Sequence, residues 1–132
     1  MMTDQELISL ALQARESAYA PYSGYAVGAA LLSRDGRVFL GCNVENSSYS
    51  ATCCAERTAF CRAVSEGVTS FAAIAVAGGK KGSAPDTFFM PCGICRQVMR
   101  EFCEDDFKIL VTDGDEIKAW TLSQLLPDGF RL

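Results

Sequence analysis

The sequence predicts an α/β domain, a three-layer sandwich in which helices cover both faces of a mixed sheet of about five strands. Strand and helix patterns alternate through the middle of the chain, which indicates right-handed crossovers and a parallel stretch of sheet. A hairpin precedes them, with the turn signal SRDG at 33–36, and makes the sheet mixed. The length of 132 residues suits one domain, 1–132, with a core that needs no disulfides.

Each element is predicted from its own local pattern. Thr3 and Glu6 form a T-x-x-E capping box that begins the first helix, and Pro21 is expected to end it. Gly67 suits the residue after the second helix, and Pro91 suits the first turn of the third. The predicted segments in chain order are a helix over 3–19, strands over 25–32 and 37–44, a helix over 52–66, a strand over 71–78, a long loop over 79–90, a helix over 91–103, strands over 107–113 and 117–120, and a short helix over 122–126.

Charge and hydropathy exclude several classes of protein. The net charge is −4 and no run of basic residues is present, which argues against a nucleic-acid partner and favours a small-molecule substrate. The amino-terminal segment MMTDQELISL lacks the basic region of a signal peptide. The longest apolar runs, VGAALL and AAIAVA, are too short to span a bilayer. We therefore expect a cytoplasmic protein with no membrane association.

The chain has seven cysteines and no histidine, and this combination restricts the chemistry. Ser-His-Asp triads, Cys-His protease pairs and HExxH zinc sites are excluded. In a reducing compartment, clustered cysteines more often bind metal or act in catalysis than form disulfides. Four of the seven are expected to be small buried apolar residues: Cys42, Cys53, Cys61 and Cys103.

The other three cysteines lie where two helices are predicted to begin. Cys54 stands in the segment CAE, and Cys92 and Cys95 form the CxxC of PCGIC. A helix N-terminus stabilises a thiolate, and thiolates are zinc ligands. If both helices leave the same edge of the sheet, three ligands meet there and leave the fourth position free for water, as in catalytic zinc sites. Glu56, two residues after Cys54, is then placed to move protons to and from that water.

Three thiolates around a divalent ion leave a net negative charge, which a nearby cation would offset. Arg57 and Arg96 are the candidates, and at least one is expected to donate a hydrogen bond to a ligand sulfur. Two other functions remain open from the residues alone. A zinc-stabilised binding module would need a fourth protein ligand, and a dithiol redox protein would use Cys92 and Cys95 and leave CAE without a role.

The chain resembles the small, tetramer-forming, zinc-dependent cytidine deaminases. Four segments in order carry the resemblance: APYSGYAVGAALL, GCNVENSSYSATCCAERTA, PCGICRQVMREF and LLPDGF. Zinc deaminases share a pattern in which a ligand-x-Glu segment is followed by P-C-x-x-C, and the first ligand is His or Cys. The resemblance implies the fold of that family, one zinc ion per subunit, a homotetramer, and hydrolysis of cytidine and 2′-deoxycytidine to the uridines and ammonia in pyrimidine salvage.

The resemblance also assigns roles to residues. It implies Cys54, Cys92 and Cys95 as zinc ligands, and Glu56 as the shuttle that serves a zinc-bound hydroxide attacking C4. Substrate binding falls to Asn43 and Glu45 at the ribose, to Tyr25 against the pyrimidine, and to Ala55. Tyr49 and Phe130 match aromatics near subunit junctions. The nearest alternative with this fold is a deaminase of a nucleoside antibiotic such as blasticidin S, whereas the NVEN segment favours a plain ribose or deoxyribose.

Overall fold

The computed structural model describes residues 2–132 and has the predicted three layers. A five-stranded sheet separates the first helix from the second and third, and its strands, numbered along the chain, lie side by side in the order second, first, third, fourth, fifth. The strands and helices are α1 (Asp4–Ala14), β1 (Tyr25–Ser33), β2 (Val38–Cys42), α2 (Ala55–Ser65), β3 (Phe71–Lys80), α3 (Gly93–Phe102), β4 (Lys108–Thr112), β5 (Ile117–Thr121) and α4 (Leu122–Leu125), with short 3₁₀ turns at Arg15–Ser17 and Tyr49–Ala51.

The sheet is mixed, as predicted, because β3 and β4 are parallel while the other neighbouring strands are antiparallel. Successive residues of β3 point to opposite faces of the sheet. One face carries only alanines, Ala73, Ala75 and Ala77, which lets α1 pack closely through Leu7, Ile8 and Ala11. The other face carries Ile74 and Val76 and supports the aromatic core under α2 and α3, built around Phe60, Phe71, Met99 and Phe107.

The first helix is shorter than predicted. It ends at Ala14 and a 3₁₀ turn follows, so the prediction that Pro21 terminates it is wrong. The cause is a competing pairing, because Tyr19 donates its N–H to Asn43 O at 3.0 Å and accepts from Glu45 N at 2.9 Å. These bonds require extended backbone. At the start of the helix, Thr3 Oγ1 accepts from Glu6 N at 3.1 Å, which is one arm of the predicted capping box.

The second helix begins three residues later than predicted, at Ala55. Cys53 pairs with Val44 through two backbone hydrogen bonds of 2.9 Å, so the chain is extended up to Cys54, which becomes the N-cap. The third helix likewise begins after Cys92, its N-cap, rather than at Pro91. Gly67 follows the second helix with a φ of 87°, as predicted for that position.

The expectation for the four remaining cysteines holds only in part. Cys103 is buried, while Cys42 and Cys53 are half-buried. Cys61 is exposed, and the expectation that it is a core residue is wrong. It lies one position after Phe60, which faces the core, and a helix rotates about 100° per residue, so Cys61 points away from the sheet. Within residues 2–132, the helices are all too short or too polar to cross a bilayer.

Candidate metal centre

Three thiols converge at one edge of the sheet because two helices begin there. Cys54 and Cys92 are the N-caps of α2 and α3, and Cys95 is the third residue of α3. The Sγ atoms of Cys54 and Cys92 are 3.9 Å apart, and those of Cys92 and Cys95 are 3.5 Å apart. All three lie within 4.8 Å of one another. The three predicted ligands therefore form one cluster.

The spacing of this cluster fits a zinc ion. Sulfur ligands at 2.3 Å in tetrahedral geometry lie about 3.8 Å from one another, a value between the two distances found, 3.5 and 3.9 Å. Among residues 2–132, this cluster contains three ligand residues and no fourth. Cys53, the nearest further thiol along the chain, accepts a hydrogen bond from Thr58 Oγ1 at 3.4 Å instead. The donor set is that of a zinc site with an open position.

The protonation of the cluster also favours a bound cation. The hydrogen bond from Cys95 and the neighbouring Arg57 lower the pKa of the Cys54 thiol to about 5. The same contact with Cys54, together with burial, raises the pKa of Cys95. A thiolate at Cys54 therefore disfavours ionisation of Cys95, because the two negative charges would lie close together. A divalent ion among the three sulfurs removes that conflict.

Glu56 lies beside the thiols and is the only acidic residue that is fully buried among residues 2–132. Its residue exposure is 5%, and this burial raises the pKa of the carboxyl to about 7. It is the second residue of α2 and lines the same cavity as Cys54 and Cys92. A carboxyl group with such a pKa, in a cavity, is suited to give and take protons near neutral pH.

The expected hydrogen bond from an arginine to a ligand sulfur is found at Arg57. Its Nη2 lies 3.6 Å from Cys54 Sγ and 3.1 Å from Thr52 O. Arg96 has a different role, because it donates to Pro91 O and to Leu125 O at 2.7 Å each. Arg57 therefore places its positive charge against the thiols, while Arg96 ties the start of α3 to α4.

A cavity of about 190 Å³ opens above Glu56 and two of the thiols. Asn43 and Ala55 line it, as the sequence predicts. Its remaining lining residues were not predicted from the sequence: Val27, Thr52, Cys53, Val76, Phe89 and Met90. The one sequence feature that could have pointed to Phe89 and Met90 was the apolar run FFM, residues 88–90, at the end of a glycine-rich loop. The cavity is small and mainly apolar, with a few polar groups at one end, which is the usual form of a small-molecule site.

Asn43 and Glu45 both lie beside the entrance, and both hold backbone segments there. Asn43 Oδ1 accepts from Val27 N at 2.9 Å, and its Nδ2 donates to Tyr25 O at 2.8 Å. Glu45 accepts from the N–H groups of Tyr22 and Ser23 at 2.9 and 3.1 Å, and from Ser23 Oγ. The Ser23 hydroxyl is the main reason that the pKa of Glu45 is lowered. Glu45 lines a neighbouring depression rather than the cavity itself.

Three predicted aromatic residues lie outside the cavity. The ring of Tyr25 is 6.0 Å from that of Phe89, which lines the cavity. Tyr49 and Phe130 are 91% and 67% exposed and do not line the cavity. In a single chain, Phe89 is therefore the aromatic residue of the cavity wall, and Tyr25 packs against its ring.

Comparison with known proteins finds similar sequences and similar structures in one family, the cytidine deaminases. Residues 1–111 match a family model described as the cytidine and deoxycytidylate deaminase zinc-binding region. The chain is 50% identical over 131 residues to a cytidine deaminase of Sporosarcina psychrophila, covering 98% of this chain and 92% of that protein. It is 51% identical to one of Halalkalibacterium halodurans, covering 98% and 95%. A crystal structure of cytidine deaminase from Burkholderia pseudomallei superposes with a TM-score of 0.88 at 47% identity, covering 98% of this chain and 100% of that one.

Proposed function

This chain belongs to the cytidine and deoxycytidylate deaminase family and is a zinc-dependent deaminase, and we propose that it hydrolyses cytidine and 2′-deoxycytidine to the uridines and ammonia in pyrimidine salvage. One observation carries the proposal. A buried carboxylate, Glu56, shares a small cavity with a three-thiol cluster of zinc spacing. A zinc site that only stabilises a fold has no use for a carboxyl group buried beside an open ligand position.

Cys54, Cys92 and Cys95 would hold one zinc ion per chain. When bound, zinc supplies a Lewis acid that lowers the pKa of water at its open position toward neutrality. Arg57 stays beside the cluster and compensates part of the thiolate charge through Cys54 Sγ. Its hydrogen bond also orients that sulfur.

Glu56 is the proton carrier of the reaction. It takes a proton from the attacking water and delivers it to N3 of the pyrimidine as oxygen adds to C4. It then takes the proton of the new C4 hydroxyl and delivers it to the exocyclic nitrogen, so that the C4=O double bond forms as the C4–N4 bond breaks and ammonia leaves. These steps need a group that gains and loses a proton in turn, and the burial that raises the pKa of Glu56 supports this role.

Substrate contacts come from the rim of the cavity. Ala55 is the first residue of α2, where backbone N–H groups have no partner within the helix and can donate to the pyrimidine. Asn43 and Glu45 carry the amide and carboxylate that a sugar hydroxyl requires, on the strand-end loop at the entrance. Tyr25 supports the aromatic side of the pocket by packing against Phe89.

We also propose that the working enzyme is a homotetramer in which neighbouring subunits complete each site. A single chain leaves several aromatic side chains exposed, among them Tyr49 and Phe130. Tyr49 lines the depression that also holds Glu45. Exposed aromatic groups are typical of a surface that another subunit covers. Sedimentation of the purified protein at several concentrations tests the stoichiometry.

The function is tested by the ultraviolet absorbance of cytidine mixed with zinc-loaded protein. We expect conversion to uridine by the wild type and a loss of at least ~10³-fold in turnover for Glu56→Gln, with zinc retained. Glu66→Gln, an exposed change at the other end of α2, is the matched control and should keep full turnover. Wild-type turnover in Glu56→Gln would refute the role of Glu56. No conversion by zinc-loaded wild type would refute the reaction.

A further inference from the structure

We propose that Arg15 is a positioning residue for the substrate pocket, acting through the 81–90 loop that carries Phe89 and Met90. The proposal rests on the proposed function, because it concerns how that pocket binds its substrate. Arg15 lies at the end of α1, on a different element from the zinc ligands and Glu56. Its side chain does not line the cavity.

Arg15 is buried and is held by backbone carbonyls alone. Its exposure is 7%, and no carboxylate lies within ion-pairing distance of it among residues 2–132. Nε donates to Ala26 O at 3.2 Å, Nη1 to Ser83 O at 2.9 Å, and Nη2 to Lys80 O at 3.1 Å. One guanidinium group thus joins the start of β1, the end of β3 and the loop that follows. No other side chain of the described residues donates hydrogen bonds to both β1 and that loop.

The 81–90 loop packs closely against the end of β3, next to the guanidinium group of Arg15. A Cβ atom at Gly79 would lie 3.1 Å from Pro85 Cα and 3.3 Å from Arg15 Nη2. A Cβ atom at Gly78 would lie 3.0 Å from the Phe89 ring and from Val27 Cγ2. The bare backbone of these two glycines therefore accommodates both the arginine and the aromatic ring. Such close packing transmits a displacement from one side chain to the next.

The anchored loop leads directly to the pocket wall. Phe89 stands six positions after Ser83, and Met90 then precedes Pro91 and Cys92. Arg15 also donates to Ala26 O and so holds the strand residue before Val27, which lines the same cavity. Loss of the guanidinium would remove one hydrogen bond from each of three carbonyls, of which Lys80 O would keep the N–H of Ser83 as a donor. The Ser83 and Ala26 carbonyls would lose the one group that joins the loop to β1, and the two segments would move apart as water replaces it.

This arrangement predicts an effect on substrate binding rather than on the chemical step. The thiols and Glu56 lie on α2 and α3, which Arg15 does not contact through any described hydrogen bond. A shifted Phe89 weakens packing against the bound pyrimidine and leaves proton transfer at Glu56 in place. A purely structural role of Arg15 would instead lower stability and the amount of active enzyme, with an unchanged KM for the remainder.

The test compares Arg15→Met, Arg15→Lys and the control Arg62→Met in zinc-loaded protein. Arg62 is an exposed arginine on α2, so its removal changes the net charge equally. We expect Arg15→Met to raise the KM for cytidine at least about fivefold, with kcat within about threefold of wild type. Arg15→Lys keeps one donor group and should recover part of the affinity. Arg62→Met should match wild type.

Hydrogen exchange of the same variants provides a readout independent of turnover. We expect Arg15→Met to lose protection at Lys81 and Ser83, whose amides donate to Gly24 O and Lys80 O, while the 33–37 hairpin turn keeps its protection. Unchanged loop protection, or lost protection with an unchanged KM, would overturn the proposal. If wild type bound zinc but left cytidine unreacted, the proposed function would fail, and unchanged protection of the loop would still overturn the anchoring by Arg15.

Discussion

Two regions form the pocket, and they are built in different ways. The thiol edge consists of Cys54, Glu56, Cys92 and Cys95 at the starts of α2 and α3. The loop wall consists of Phe89 and Met90 on the 81–90 loop. Helix starts are specified locally, by the cap residue and the first turn. The loop wall instead depends on contacts with residues distant along the chain, above all Arg15 and Gly78.

This difference in construction indicates that the thiol edge and the loop wall have different functions. Chemistry requires fixed distances between the thiols and Glu56, the proposed proton carrier, and two helix ends packed on one sheet supply them. Binding requires a surface that fits the substrate, and a loop can vary that surface without moving the helices. Variants of the thiol edge should therefore lose zinc or turnover, and variants of the loop wall should lose affinity.

The largest effect is expected from removing a ligand at the thiol edge. Cys92→Ala should lose its zinc, unfold at a lower temperature and lose more than about a hundredfold in turnover, because ligation joins the starts of two helices. Zinc content after dialysis, measured by elemental analysis, checks this. Cys61→Ala removes an exposed thiol from α2 and should keep one zinc per chain. A full complement of zinc in Cys92→Ala would contradict the ligand assignment.

A smaller and different effect is expected from the loop wall. Phe89→Ala should raise the KM for cytidine about tenfold with zinc content unchanged, since a buried aromatic ring contributes roughly 1.5–3 kcal/mol of apolar contact. Steady-state kinetics on zinc-loaded protein measures it. Phe88→Ala is the neighbouring control, because its ring lies under Lys118 Nζ at 4.4 Å instead of lining the cavity. Equal KM values for the two variants would remove the distinction between the regions.

The smallest effect is expected at the 33–37 turn, which is remote from both regions. The Arg37 side chain, followed by the Ser33 hydroxyl, lowers the pKa of Asp35 from 3.8 to about 2. The ionised carboxylate is favoured in the folded state, so its contribution is present above pH 3.8 and is lost as the pH falls toward 2. Asp35→Asn should lower the urea midpoint slightly at pH 7, and its difference from wild type should shrink in acid.

Urea unfolding of metal-free protein at pH 7 and pH 3 measures this prediction without interference from zinc release. Asp86→Asn, an exposed change in the 81–90 loop, serves as the control. A difference between Asp35→Asn and wild type that grows in acid would show that the ion pair with Arg37 does not stabilise the fold.

The thiol edge could be predicted from the sequence because its signals are short and local. CAE and PCGIC each mark a helix start, and the predicted alternation of strands and helices brings those starts to one edge. The exact first residue of α2 could not be predicted, because it depends on the bridge between Val44 and Cys53. The early end of α1 has the same kind of cause, the pairing of Tyr19 with Val44.

The loop wall could not be predicted because no local pattern places it. Residues 88–90 are apolar, which alone is equally consistent with a core contact, and Phe88 does pack on the core. Phe89 faces the cavity because Gly78 leaves space for its ring and Arg15 holds the preceding residues. Tyr25 is expected to pack on the pyrimidine; in the single chain it packs against Phe89, which lines the cavity.

We propose that one zinc ion at the thiol edge makes this chain a cytidine deaminase. The most direct measurement is a titration of reduced, metal-free protein with zinc, with cytidine conversion followed by ultraviolet absorbance. Turnover should rise in proportion to added zinc and stop rising at one ion per chain. Full turnover without zinc, or complete zinc binding with no conversion of cytidine, would contradict it.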